Sequence, residues 1–260
     1  MNVGAAELLL GGVVLVGASV QWLTGMGFAL VAVPALVLLL GPASGVALAN
    51  CAAGAICAVG LAGGGWRQVR LNAMVPLVAA SACTVPAGTW VAAHLPEPVL
   101  LAVMGGLVTV AVLLVMGGTR VPALSGVKGA LTAGAAGGFM NSSAGVGGPP
   151  VSLYALNAGW AVREFVPNAQ FYGIVVNAFS IAANGVPRLE SGVWALAMAG
   201  MAAGAVIGRA LAERVPERGA RLLVLLIALG GGLSTLVKGY GSCDGGPHRT
   251  SAHSRAAGVA

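Results

Sequence analysis

Between Glu7 and Arg67 the chain contains no Asp, Glu, Lys, Arg or His. A soluble domain cannot leave so long an interval without charge, because whatever part of it reaches the surface must be solvated. A bilayer accepts it, but not as one crossing, since about 20 helical residues span a hydrocarbon core of roughly 30 Å. The interval must therefore turn back on itself. Its natural breaks are the Gly25/Gly27 pair, Pro34, Gly41-Pro42 and Gly63-Gly64-Gly65, glycine and proline being the strongest local interruptions of a helix. The rest of the chain is of the same kind: 8% of its 260 residues are charged and 58% are hydrophobic, where about 25% charged is ordinary for a soluble domain.

Further apolar runs extend from Leu71 to Ala93, Val99 to Met116, Gly129 to Trp160, Phe165 to Ala183, Ser191 to Ala212 and Leu222 to Val237. Alternating ten-residue segments, the mark of a strand barrel, are missing from the pattern. The expected fold class is all-α, a polytopic helical membrane protein of about eight hydrophobic segments lying in a lipid bilayer. Disorder is excluded by the high hydrophobicity. A net charge of +6 would suggest nucleic acid in a soluble protein, but the few basic residues are dispersed among apolar runs and read as topology signals, with no nucleic-acid partner. Cys51, Cys57 and Cys83 lie inside apolar runs without CxxC or Cys/His spacing, so they read as small buried hydrophobes, and no metal or cofactor is called for. Met1 to Glu7 lacks the basic start of a cleaved signal peptide, so the first apolar run is expected to stay. Residues 241–260, with Asp244, His248, Arg249, His253 and Arg255, read as a polar disordered tail.

Sliding the chain against itself by 120 residues aligns Gly17 with Gly137, Gly25 with Gly145, Gly27 with Gly147, Gly65 with Gly185 and Gly88 with Gly208. The same shift sets Pro96-Glu97 on Pro216-Glu217 and Asn50 on Gln170. Two repeats are expected, residues 1–123 and 124–240, each one long glycine-broken segment followed by three ordinary spans. If the broken segment crosses once, Arg67, Arg70, Arg120, Lys128, Arg188 and Lys238 face Arg163, Arg209, Arg214, Arg218 and Arg221, which is no bias. If it folds back as a hairpin, only Arg188 and Lys238 stand opposite the other nine. The positive-inside rule favours the second arrangement. The repeats are then inverted, both termini are outside the cell (inner) membrane, and the loops around Arg67, Arg120 and Arg214 are cytoplasmic.

The stretch richest in chemistry is Gly137-Gly138-Phe139-Met140-Asn141-Ser142-Ser143-Ala144-Gly145-Val146-Gly147-Gly148-Pro149-Pro150. Clustered glycines adopt backbone angles closed to other residues, and proline in a first turn marks a helix restarting. Within a membrane such irregular backbone is tolerated only where protein or a watery cavity satisfies it. Thr24-Gly25-Met26-Gly27 is its counterpart in the first half. Broken segments at matched positions of two repeats point to a central transport site, and a helix restarting after Gly148 offers N–H groups and a positive dipole end to an anion. Glycines serving only close helix packing are the competing reading. The candidate substrate-binding residues are Gly25, Gly27, Asn50, Asn141, Ser142, Ser143, Gly145, Gly147, Gly148 and Gln170, with Asn50 and Gln170 included for their equivalence under the shift. Asn168, Tyr172, Asn177, Ser180 and Asn184 are further polar residues within apolar runs. Asn177, Ser180 and Asn184 share one helical face, which suits bonding between helices as well as a cavity. His94, Arg163-Glu164 and Arg188 with Glu190 sit at span ends and read as interfacial.

Gly25-Met-Gly-Phe-Ala-Leu-Val-Ala-Val-Pro34 followed by Gly41-Pro42, and Gly145-Val-Gly-Gly-Pro-Pro-Val151, resemble the two repeat signatures of the TauE/SafE sulfite exporter family. The resemblance extends over nearly all of residues 8–237, and the first repeat departs from it in keeping only Gly25 and Gly27 before Phe28. It implies a permease for sulfite, sulfonates or related small anions, with a small anionic substrate as partner and homo-oligomers left open. No Asp, Glu, Lys, Arg or His falls in the middle of a span, which points away from a carboxylate relay and toward a facilitator, or a carrier coupled through a protonatable substrate or a carbonyl-held ion. The rivals are an intramembrane lipid enzyme, for which paired carboxylates, a metal cluster or an activated nucleophile are wanting, and a non-transporting assembly subunit.

Overall fold

Lipid offers the backbone no hydrogen bonds, so a chain of this composition must satisfy its amides within helices. The computed structural model describes residues 3–25, 27–117, 124–212, 214 and 217–244. Among them are ten α-helices: α1 (Val3–Thr24), α2 (Phe28–Leu40), α3 (Pro42–Ala62), α4 (Leu71–His94), α5 (Glu97–Met116), α6 (Gly126–Ala144), α7 (Gly148–Asn157), α8 (Val162–Asn184), α9 (Ser191–Ala212) and α10 (Glu217–Asp244), with one 3₁₀ turn over Gly65–Gln68. Five, within α1, α3, α4, α5 and α9, are long and apolar enough to cross a membrane. The loop around Arg120, Pro216 of the Pro-Glu match and the tail beyond Asp244 lie outside the described residues. Helix α10 continues to Asp244, past the point where a polar tail was expected to begin.

Each half opens with a broken segment. Helix α1 stops at Gly25 and α6 at Gly145, both left-handed at φ 75° and 71°, a conformation that ends helices and that only glycine adopts without strain. Helix α2 then folds back along α1: a β-carbon on Gly17 would stand 3.0 Å from the Phe28 ring and 3.1 Å from Ala32 Cβ. Pro34, expected as a break, lies inside α2. The reversal comes instead at Gly41, φ 82°, with Pro42 opening α3, where a missing N–H goes unnoticed. Gly129 to Trp160, one apolar run in the sequence, is divided into α6 and α7.

Tight helix pairing fixes the path. Gly200, Gly204 and Gly208 on α9 lie against the carbonyls of Gly11, Leu15 and Ser19 on α1, where β-carbons would come within 2.7, 2.5 and 2.5 Å. This is close packing through small residues, and the two helices run parallel. Helices α4 and α6 are also parallel, through Gly134 against Leu77 and Gly138 against Ser81, with Ser81 Oγ donating to Gly134 O at 2.8 Å and Thr84 Oγ1 to Ala135 O at 2.8 Å. By contrast α3 and α8 run antiparallel, Gly54 against Asn177 and Gly60 against Gln170, as do α5 and α10, Gly105 against Leu236 and Gly239 against Ala102. These pairings fit a chain that reverses direction from one helix to the next. Helices α2, α3, α4 and α5 start 120 residues before α7, α8, α9 and α10 respectively, the offset that aligns the glycines.

The outer surface is apolar, with Leu8, Val75, Trp90 and Val206 exposed, as lipid requires. Arg209, in the last turn of α9, stacks on Trp22 with its guanidinium carbon 4.1 Å from the ring centroid. His94 stacks on Trp90 at 4.5 Å. Of the three cysteines within the apolar runs, Cys57 is buried, Cys51 half-buried and Cys83 exposed, so the expectation of burial holds for Cys57 alone.

Candidate functional site

Gln21 and Asn141 build the centre of the molecule. They are 120 residues apart, each four residues before the left-handed glycine that ends its helix, and they do the same thing. The Gln21 main-chain carbonyl accepts the Gly25 N–H at 2.8 Å, and Asn141 O accepts the Gly145 N–H at 2.9 Å. Their side chains then reach across the break to the helix that follows. Gln21 Oε1 accepts the N–H groups of Gly27 and Phe28, both at 2.9 Å, and Asn141 Oδ1 accepts the Gly147 N–H at 3.2 Å. One residue therefore ties down both sides of each gap, occupying N–H groups that a helix start leaves without partners.

The amide nitrogens of the same two residues point to α3 and α8, again at counterpart positions. Gln21 Nε2 donates to Cys57 Sγ at 3.4 Å. Asn141 Nδ2 lies 3.1 Å from Asn177 Oδ1, 2.9 Å from Ser180 Oγ and 3.4 Å from Asn50 Oδ1. Gln21, Asn50, Asn141, Asn177 and Ser180 are all buried. Asn50 Nδ2 has no hydrogen-bond partner among the described residues, a buried donor left unsatisfied, which is uncommon in folded proteins.

Between the two breaks lies a cavity of about 50 Å³, lined by Gln21, Gly27, Ala29, Leu30, Ala53 and Cys57 from the first half and by Asn141, Gly147, Gly148, Pro149, Tyr172, Gly173 and Asn177 among others from the second. At ~30 Å³ per water, that is room for one or two waters or a small anion. The first turns of α2 and α7 both open on it. Every lining residue is uncharged. A wider, open recess of about 600 Å³ lies at the start of α4 and α6, lined by Arg70, Asn72 and Tyr154 among mostly apolar residues. It holds a cationic side chain, Arg70, which the central cavity does not, and its Tyr154 shares one apolar cluster with Tyr172 of the central cavity.

The sequence candidates divide. Gly27, Asn141, Gly147 and Gly148 line the cavity. Gly25 and Gly145 set the turns behind it, buried against Val166 and Val33 respectively. Asn50 joins the Asn141 cluster. Gln170, its counterpart, is half-buried on α8 against Gly60. Ser142 Oγ and Ser143 Oγ donate back to α6, to Gly138 O at 3.0 Å and Phe139 O at 2.7 Å, so neither hydroxyl faces the cavity. Asn184 Nδ2 donates to Ser142 O at 2.9 Å, so the Asn177, Ser180 and Asn184 face lies on α6. Tyr172 meets Ser81 Oγ at 2.9 Å. Asn168, fully buried, accepts the Arg70 N–H at 2.8 Å, and Arg70 lies 3.9 Å from Glu164. The sequence reading passed over Gln21 and Cys57, although the 120-residue shift sets them on Asn141 and Asn177.

No curated protein and no solved structure matches this chain. A family model described as sulfite exporter TauE/SafE matches residues 9–235, from within α1 to within α10. That span takes in both glycine breaks and the cavity between them, and the chain belongs to the TauE/SafE sulfite exporter family of multi-pass membrane transporters.

Proposed function

We propose that the protein is a permease that holds a small sulfur oxoanion in the central cavity and moves it by alternating access. The observation that carries this is the counterpart pair Gln21 and Asn141, which bring the N-terminal ends of two re-entrant helices onto one uncharged cavity. Gln21 and Asn141 occupy the N–H groups of Gly27, Phe28 and Gly147, and Pro149 and Pro150 have none, so the helix ends offer an anion the N–H groups that remain in their first turns. Donors of this kind bind without the grip of a buried Arg, which leaves the anion free to depart.

The repeats are inverted in this reading. Its support is that α3 runs antiparallel to its counterpart α8, and α5 to α10, as a two-fold axis in the membrane plane requires. On a path that reverses at every junction, Arg67, Arg70, Lys128, Arg163, Arg209, Arg214, Arg218 and Arg221 belong to one end, with Arg120 between α5 and α6, while Arg188 and Lys238 belong to the other. The first end is cytoplasmic by the positive-inside rule, the termini lie outside, and the membrane is the cell membrane.

The test is flux of labelled sulfite, thiosulfate, a sulfonate and a carboxylate in proteoliposomes, with Gly147→Val as the site variant. A β-carbon at Gly147 would lie 2.8 Å from Asn141 Cβ and 2.8 Å from Gly137 O, so the substitution dislodges Asn141 and closes the cavity. Sulfur oxoanion flux is expected in the wild type and at least a hundredfold less in the variant, at equal insertion. Undiminished flux in Gly147→Val rejects the site.

A further inference from the structure

We propose that the open recess at the start of α4 and α6 is a second anion site, which captures a small oxoanion at one mouth of the protein, with Arg70 as its cation and Tyr154 and Asn72 as its neutral donors. That this mouth is cytoplasmic, and that the anion is the one transported, rest on the permease reading.

Three side chains with hydrogens to donate line this one space, Arg70, Asn72 and Tyr154. Among the described residues none of the three has an acceptor for its side chain. The carboxylate beside Arg70 is Glu164, at 3.9 Å, beyond hydrogen-bonding distance. Both side chains are largely in water, 55% and 41% exposed, so the pair holds the guanidinium only weakly. Its planar fork of N–H groups is open to an oxoanion, which it matches in geometry. Tyr154 is the stronger sign of a ligand. It is 7% exposed, its ring stands edge-on to Trp160 at 5.7 Å, and it lines the recess with a hydroxyl that has no partner among the described residues. A phenol so buried ordinarily has one.

The cation is held in place from α8. Asn168, fully buried, accepts the Arg70 N–H at 2.8 Å and donates to Glu164 O at 2.6 Å. The guanidinium carbon lies 5.9 Å from the centre of the Trp160 ring, so one indole stands beside both the cation and the phenol. The recess measures about 600 Å³ and the central cavity about 50 Å³. At ~30 Å³ per water, the recess takes an anion together with its hydration shell. Capture here therefore comes before the anion sheds its water.

The opposite end of the molecule lacks these groups. The 120-residue shift sets Arg70 on Glu190, Asn72 on Gly192 and Tyr154 on Pro34, and α4 and α9 start at that same offset. The counterpart positions thus offer a carboxylate in place of the cation, and no side-chain donor. Glu7, Glu97 and Glu190 outnumber Arg188 and Lys238 at that end. The field of the protein draws an anion to the Arg70 mouth and not to the other. The repeat does not produce this site by itself; three substitutions between its halves do.

The experiment has a binding arm and a flux arm, both on the full chain. Labelled sulfite is equilibrated with purified Gly147→Val protein in neutral detergent, where the central cavity is closed and the recess alone reads out. Saturable binding is expected, weakened about tenfold by adding Arg70→Ala and about threefold by adding Tyr154→Phe, which keeps the ring against Trp160. Glu164→Gln, which removes the competing carboxylate, is expected to tighten binding about threefold, a gain that a purely structural role for Arg70 does not give. In proteoliposomes with the wild-type cavity, Arg70→Ala is expected to raise the sulfite KM at the cytoplasmic face about tenfold at low salt, with kcat unchanged, and to remove most of its salt dependence. Sulfite binding and KM indifferent to Arg70→Ala overturn the site while leaving the permease reading intact. Binding through Arg70 with no sulfur anion carried by the wild type removes the permease reading and leaves the site. Phosphatidylglycerol added to the micelles is expected to leave sulfite binding unchanged; if it displaces sulfite and Arg70→Ala abolishes that effect, the recess belongs to a lipid headgroup and the proposal falls.

Discussion

Gln21 and Asn141 differ by one methylene, yet each accepts a main-chain N–H through its own carbonyl and one or more through its side chain. Gln21→Ala strips the acceptor from two buried N–H groups, which costs about 1–3 kcal/mol for each group left unpaired. The expected outcome is a lower unfolding temperature in detergent and a loss of flux of tenfold or more. Gln21→Glu separates structure from electrostatics. The carboxylate keeps the acceptor, and two N–H donors favour its ionised form, so thermal stability is expected to return toward wild type while the added negative charge abolishes anion flux. Flux in Gln21→Glu equal to wild type would show that the cavity does not carry the anion. Asn141 was legible in the sequence because it stands in a polar, glycine-rich run, whereas Gln21, with only Ser19 and Thr24 as polar neighbours in an apolar run, is recovered only by the 120-residue shift. Ser142 and Ser143 show the opposite limit. A helical serine can bond the carbonyl one turn back, so its hydroxyl alone does not reveal which way it faces.

The helices are held in pairs by glycine more than by bulky apolar side chains, since lipid is as apolar as leucine and rewards only close contact. The α1 and α9 pair is the clearest case, with three glycines of α9 at four-residue intervals against the α1 backbone. Gly204→Leu is expected to force the two helices apart and to lower thermal stability in detergent strongly. Gly192→Leu on the same helix, where nothing lies within 4 Å, is expected to change it little, and fluorescence-detected unfolding compares the two directly. Equal behaviour of both variants would remove the packing role. Helix existence and the sites of the two main breaks were legible, because hydropathy and glycine each have a local physical cause. Pro34 was misleading: in a short helix walled by α1, α3 and α10 its missing N–H is tolerated, as neighbouring helices support the freed backbone.

At the scale of the molecule the two halves interlock. Helix α1 of the first packs on α9 of the second, and α4 of the first on α6 of the second, so the segments 1–123 and 124–240, expected from the sequence as repeats, are not separate bodies. Any rocking motion must therefore carry elements of both. The alternating path makes a topological prediction: reporter fusions at Ala123 and at Tyr240 are expected on opposite faces of the membrane, the first cytoplasmic. The same sidedness for both would sink the inverted arrangement. A hairpin in each half was favoured by nine basic residues against two, and the structure shows α2 turned back along α1.

The sequence by itself determined that this chain is a bundle of membrane helices, where its principal breaks fall, and which family it resembles. Each of these follows from local causes: apolar side chains need lipid, and a left-handed turn needs glycine. Only the tertiary structure decided which polar groups meet. The Gln21 and Asn141 amides, Cys57, Asn177 and the first turns of α2 and α7 come together across long separations in the chain, while Gln170, Ser142 and Ser143, equally polar in the sequence, turn elsewhere. Convergence of that kind depends on how helices pair and rotate about their axes, and no single segment carries that information.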